Sequence, residues 1–231
     1  MAIPRRSFLE RMALGGVAAA GLDLGAAWPA AGLDRTTTLR PTDPGEVQQA
    51  WDLSWVDRVT GSHRCVFDCT EIESGFGVLR ALVWVAQYGQ ALGVKPAEMS
   101  PVVVIRHSAI PLAMNQAFWD RYGIGAAKSV RHPFTDEPTT KNPLLLEANE
   151  LPPGFGTFNH SGLMAAGIPL LGCNLAFAEC VRTVAKADGV AEDEARKRAV
   201  AMLLPGIVLQ PSGVFATIRA QEARCVYLKS S

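Results

Sequence analysis

Short apolar runs alternate with longer segments of helical period from about residue 64 to residue 228, and this alternation constrains the fold more than any other feature. Pro101-Val102-Val103-Val104-Ile105 is a continuous apolar run of the kind buried on both faces of a parallel sheet. Arg64 to Asp68 is short, rich in strand formers and followed by a glycine-punctuated break, which predicts a first strand before it. Between the two, Gly77 to Leu92 places Leu79, Leu82, Val83, Val85, Ala86 and Leu92 at mixed three and four spacing, with Gly93 as a stop, so a helix connects them.

The pattern continues. Pro111 is suited to the first turn of a helix running through Phe118 and Trp119 to Tyr122 and ending at Gly123 and Gly125. Thr157 to Ala166 predicts a helix, Ile168 to Leu171 a third strand, and Asn174 to Ala187 and Glu192 to Leu203 two more helices. Gly206 to Gln210 predicts a fourth strand, Ser212 to Glu222 a helix, and Cys225 to Leu228 a final strand. Such an order implies right-handed crossovers and helices on both faces of a mostly parallel sheet of about five strands, a three-layer α/β domain. Only the stretch from Ala126 to Phe155 lacks a period of its own. It carries Pro133, Pro138, Pro143, Pro152 and Pro153 and reads as a long excursion, suited to one wall of a site or to an oligomer contact.

The N-terminus reads as processing rather than fold. Pro4-Arg5-Arg6-Ser7-Phe8-Leu9 precedes an Ala- and Gly-rich apolar stretch from Met12 to Trp28, the pattern of a twin-arginine export signal. Asp23 interrupts the stretch and no clean Ala-x-Ala follows, which leaves cleavage open. Residues 1–31 are therefore assigned to the signal, 32–50 to a polar linker with Pro41, Pro44 and Gly45, and 51–231 to the α/β domain. The expectation is a periplasmic or otherwise extracytoplasmic protein that meets the twin-arginine translocase during export.

Lys+Arg and Asp+Glu both number 22, so no net field holds a nucleic acid by counterion release. There is no Gly-x-Gly-x-x-Gly after a strand, no Walker loop, no Gly-x-Ser-x-Gly elbow and no His-Glu-x-x-His, which argues against the common nucleotide and hydrolase sites. Gly75-Phe76-Gly77 is explained by a helix-entry turn.

Ligands in open α/β sheets bind beyond the carboxyl ends of the strands. Those ends carry Asp68 and Cys69, Arg106 and His107, Cys173 and Asn174, and Pro211 and Ser212. Cys173 stands between a strand and the start of a helix, where unpaired amides and the helix dipole favour a thiolate. A small buried hydrophobe is the competing reading. Arg106 and His107 are candidates to favour the thiolate, with Asn174, Asp68 and Ser212 as polar contacts.

Gly167-Ile168-Pro169-Leu170-Leu171-Gly172-Cys173-Asn174-Leu175-Ala176, Leu203-Leu204-Pro205-Gly206-Ile207-Val208-Leu209-Gln210-Pro211-Ser212-Gly213-Val214 and Arg219-Ala220-Gln221-Glu222 together resemble the DsrE-type family. The resemblance covers residues 160–229 well and 63–125 mainly in element order. It implies a flavodoxin-like domain, often a homo-oligomer, whose strand-end cysteine carries sulfur as a persulfide in some members. That cysteine maps onto Cys173, and a protein that donates or accepts sulfur is the implied partner. The export signal and the proline-rich excursion depart from the shorter cytoplasmic relay members.

At least one of the five cysteines is unpaired. Cys65 and Cys69 stand ~13 Å apart along a strand, and Cys173 and Cys180 ~10 Å apart on a helix, beyond the ~7 Å reach of a disulfide. If the first and third strands are neighbours, Cys69 is a redox partner for Cys173. Three functions follow: a sulfur carrier or transferase, at most, acting through Cys173; a non-catalytic module holding a small ligand or metal through His107, Asp68 and Cys173; or an oligomeric structural protein using Trp51, Trp55, Trp84, Trp119 and Tyr122. No close-spaced metal motif and no cofactor motif is present.

Overall fold

A computed structural model describes residues 51–231; the segments read from the sequence as a twin-arginine signal, 1–31, and a linker, 32–50, lie outside the described residues. Five strands form one parallel sheet: β1 His63–Cys69, β2 Met99–Ile105, β3 Leu170–Cys173, β4 Ile207–Gln210 and β5 Val226–Lys229, in the order β4-β3-β2-β1-β5. Around it lie α1 Phe76–Leu92, α2 Gln116–Arg121, α3 Ile124–Ala127, α4 His160–Ala165, α5 Asn174–Asp188, α6 Glu192–Ala201 and α7 Gly213–Glu222. The architecture is the three-layer α/β domain that the alternation predicts, and it is flavodoxin-like, as the resemblance implies.

Crossover handedness divides the helices. Strands β1 to β4 step across the sheet in one direction, so right-handed connections carry their helices to one face; the step back from β4 to β5 carries α7 to the other. Packing follows the same division. Phe67, Val103, Ile105 and Leu170 share a core with Leu79 of α1 and Phe177 of α5, while Val66, Val102, Val104 and Leu171 pack with Ala216 and Ala220 of α7 and with Trp55. Successive strand residues point to opposite faces, which is why every position from Val102 to Ile105 is fully buried. Each such side chain gains about 1.5–3 kcal/mol from leaving water.

One local expectation is corrected and a second is placed. Pro111 does not open the helix toward Tyr122; it lies inside a 3-10 turn, His107–Ala113. Met114 is then held extended by an antiparallel bridge to Leu203, and α2 begins after Asn115, whose side chain accepts the Phe118 N–H at 3.0 Å. A side-chain acceptor at the cap outweighs the preset dihedral of proline.

The excursion, secondly, adds no residue to the strand-end cleft, and its part from Ala126 to Thr140 walls a separate pocket of about 400 Å³. It buries Val130, Leu144, Leu146 and Leu151 in the α1-side core. Asn142, fully buried, fixes it by donating through Nδ2 to the carbonyls of Leu112 at 3.1 Å and Met114 at 2.7 Å. The aromatic residues are also mainly core. Trp55 and Trp119 are fully buried, and Trp51, Trp84 and Tyr122 are half-buried.

Candidate functional site

The exits of β3 and β4 diverge, since α5 leaves toward one face and α7 toward the other, and a crevice opens where neighbouring strands part in this way. A cleft of about 300 Å³ occupies that place, lined by Arg106, His107, Cys173, Leu175, Ala176, Glu179, Arg182, Ser212, Gly213 and Val214. Of the residues expected at the strand ends, it brings together Cys173, Arg106, His107 and Ser212.

Cys173 is the last residue of β3 and the N-cap of α5, and its Sγ accepts the Ala176 N–H at 3.4 Å. Ser212 caps α7 in the same manner, its Oγ accepting the Phe215 N–H at 3.0 Å. Two helix N-termini thus border one cleft, and their free N–H groups favour negative charge. His107 is exposed beside them with φ 49°, a left-handed conformation that histidine adopts more readily than most residues.

Arg106 binds Asp68 in two parallel hydrogen bonds, Nε to Oδ1 at 2.6 Å and Nη2 to Oδ2 at 2.7 Å. Tyr227 of β5 donates its hydroxyl to Oδ2 at 2.8 Å. Burial pushes the Asp68 carboxyl up, but the Arg106 and Tyr227 hydrogen bonds outweigh it and hold the group below its ordinary 3.8. The same pair holds the Arg106 guanidinium above its usual value. Strand parity explains the grouping: Asp68 alternates with the α7-facing Val66, whose register partner is Tyr227, and Arg106 follows the α7-facing Val104.

Three expected site residues play other parts. Asp68 is 1% exposed and spends its oxygens on Arg106 and Tyr227, so it braces the cleft from behind. Asn174 turns away, its Oδ1 accepting from Arg196 Nη2 of α6 at 2.7 Å. Cys69 is not a redox partner. Strand β2 separates β1 from β3, placing the two cysteines about 10 Å apart across the sheet, and parity directs Cys69 to the α1 face and Cys173 to the α7 face. That span exceeds the reach of a disulfide.

All five cysteines are buried, Cys173 at 6% exposed, and what distinguishes Cys173 is its place on the strand-end cleft. Burial pushes Cys65 and Cys225 up to about 11 and Cys180 up to about 12, and drives Cys69 upward as well. All five are unpaired. Among the described residues, no group of three His, Cys, Asp or Glu side chains stands together to hold a metal, and Asp68 is already committed, so His107, Asp68 and Cys173 do not form a ligand set. Among the same residues, no helix is long and apolar enough to cross a membrane.

Tyr227, Gly213 and Arg182 escaped the sequence reading. The first two follow only from knowing which strands pair and which face α7 takes. Scanned against known protein-family models and against curated proteins, the chain finds no match to either.

Proposed function

We propose that this protein is an exported DsrE-like carrier of sulfane sulfur, with Cys173 as the residue that takes and gives up the sulfur atom. The observation that carries the reading is the position of Cys173 in the crevice between β3 and β4, with its Sγ at the first turn of α5 and Arg106 and His107 on the same cleft. The balanced step is an exchange. A Cys173 thiolate bonds to the outer sulfur of a persulfide donor, the donor's S–S bond breaks, and its thiolate leaves with the electron pair. The proton given up by Cys173 ends on that leaving group, and no external oxidant is consumed.

The test is anaerobic purification of the full chain, incubation with a small persulfide, and mass mapping of each cysteine. A gain of about 32 Da, one sulfur atom, on Cys173 and not on Cys173→Ser protein is expected. Equal sulfur on both proteins, or none on either, would overturn the assignment. Export is tested separately: Arg5→Lys with Arg6→Lys should retain the protein in the cytoplasm, and unchanged export would defeat the twin-arginine reading.

A second reading, assembly of like copies, is favoured by exposed apolar side chains and an open sheet edge. Leu175 and Val214 of the cleft and Ile218 of α7 are exposed, as are all four residues of β5 at the opposite edge of the sheet, and exposed apolar groups and open edge strands are common interface elements. Sedimentation of the purified domain, with Ile218→Lys as the comparison, tests it. A monomer at high concentration would dismiss it.

A further inference from the structure

We infer that Gly213 is a positioning residue of the Cys173 cleft, because the side chain it lacks leaves the notch through which Arg106 reaches the cleft. The inference rests on the cleft being the working site, and concerns how its one ion-paired cation is held there.

Gly213 is the first residue of α7, capped by Ser212. Its backbone does not require glycine, for its φ is outside the left-handed region that holds Gly75, Gly93 and Gly206. Glycine is also a poor helix former, so alanine would suit α7 better on propensity alone. Space supplies the reason. A Cβ at position 213 would collide with Cδ of Arg106 and stand 2.8 Å from its Cβ and 3.1 Å from its Cγ.

The Arg106 stem therefore lies against the first turn of α7, and its guanidinium is fixed at the far end by Asp68. Neither end tolerates displacement. Asp68 is almost wholly buried, so a guanidinium pushed aside leaves an unpaired carboxylate in the interior. The stem passes between a strand end and a helix start that belong to opposite directions of winding, and an unobstructed helix turn is what lets it through.

The test compares the rates at which an anionic and a neutral alkylating reagent, iodoacetate and iodoacetamide, modify Cys173 in the full chain. Their ratio reports the local charge rather than general accessibility. Arg106→Ala is expected to lower the ratio about fivefold, the effect of removing one nearby unit charge at the dielectric of water. Gly213→Ala should lower it by a comparable factor while both proteins remain folded. In the Arg106→Ala background, which removes two of the three contacts, Gly213→Ala should change the ratio little and depress the melting temperature less than it does alone.

A Gly213→Ala protein with the wild-type ratio, or with the higher melting temperature that helix propensity alone predicts, overturns the inference. Failure of the carrier reading looks different. Cys173 would then show the charge-dependent ratio yet take up no sulfane sulfur, whereas sulfur uptake with an unchanged ratio in Gly213→Ala sinks this inference alone. A Cys173 that reacts with neither reagent overturns both.

Discussion

Asp68 on β1 and Arg106, the residue that follows the neighbouring strand β2, meet through two short, parallel hydrogen bonds at the edge of the Cys173 cleft. A nearly buried carboxylate held this way depends on its partner more than the partner depends on it.

Arg106→Ala is accordingly expected to destabilise the domain by about 3 kcal/mol near neutral pH, measured by urea unfolding. The pH dependence has a definite sign. Because the folded carboxyl of Asp68 lies below its ordinary 3.8, its pair stabilises the wild type fully above that value, and the contribution is lost as pH falls through the lower folded value. In Arg106→Ala burial dominates instead and favours the neutral acid. The difference between the two proteins should therefore shrink below about pH 4; a constant difference would contradict the pairing.

Native protein treated with a small alkylating reagent should be modified at Cys173 alone. All five cysteines are buried, but Cys173 lines the strand-end cleft, whereas burial pushes the thiols of Cys65, Cys69, Cys180 and Cys225 upward, and only the thiolate reacts at a useful rate. Unfolding in guanidinium should expose all five, with peptide mapping as the readout. Early labelling of Cys180 would be the most damaging result, since that residue borders a smaller surface depression.

Oxidation should not link Cys69 to Cys173. Non-reducing peptide mapping after diamide treatment is expected to find no such pair, because β2 lies between their strands and their side chains face opposite layers. A 69–173 crosslink in folded monomer would refute the strand order.

Asn142→Ala should cost about 2–3 kcal/mol, since it strips the buried carbonyls of Leu112 and Met114 of their donor and frees the Leu144 N–H. Residues 126–155 should then be cut sooner in limited proteolysis. Unchanged stability and cleavage would mean that the leucines alone hold the excursion.

Most of the element pattern was legible in the sequence, and for a plain reason. The run Val102 to Ile105 must be buried on both faces, and Gly93 closes its helix with φ 69°, so local chemistry and final structure agree there. The position of Cys173 at a strand end was legible too, since the apolar run before it stops at Gly172. The start of α2 was not. Pro111 and Asn115 both suit a helix start, and the Met114–Leu203 bridge that separates them joins residues far apart in sequence. Strand order was equally hidden. No local signal places β2 between β1 and β3, and from that order follow the separation of Cys69 from Cys173, the face taken by α7, and the roles of Tyr227 and Gly213.

The pairing of β5 with β1 bears on how the chain folds. Tyr227 and Asp68 are 159 residues apart, so that strand joins the sheet only after a very long loop has closed, and the entropy of closure is spent before any contact returns it. Its four residues are exposed and neighbour one strand only. The β1-β2-β3 centre should therefore assemble first and β5 should dock late, with its amides exchanging through local opening rather than global unfolding. Maturation of the cleft is then a last event in folding, because the hydroxyl that completes the bracing of Asp68 arrives with the strand that arrives last.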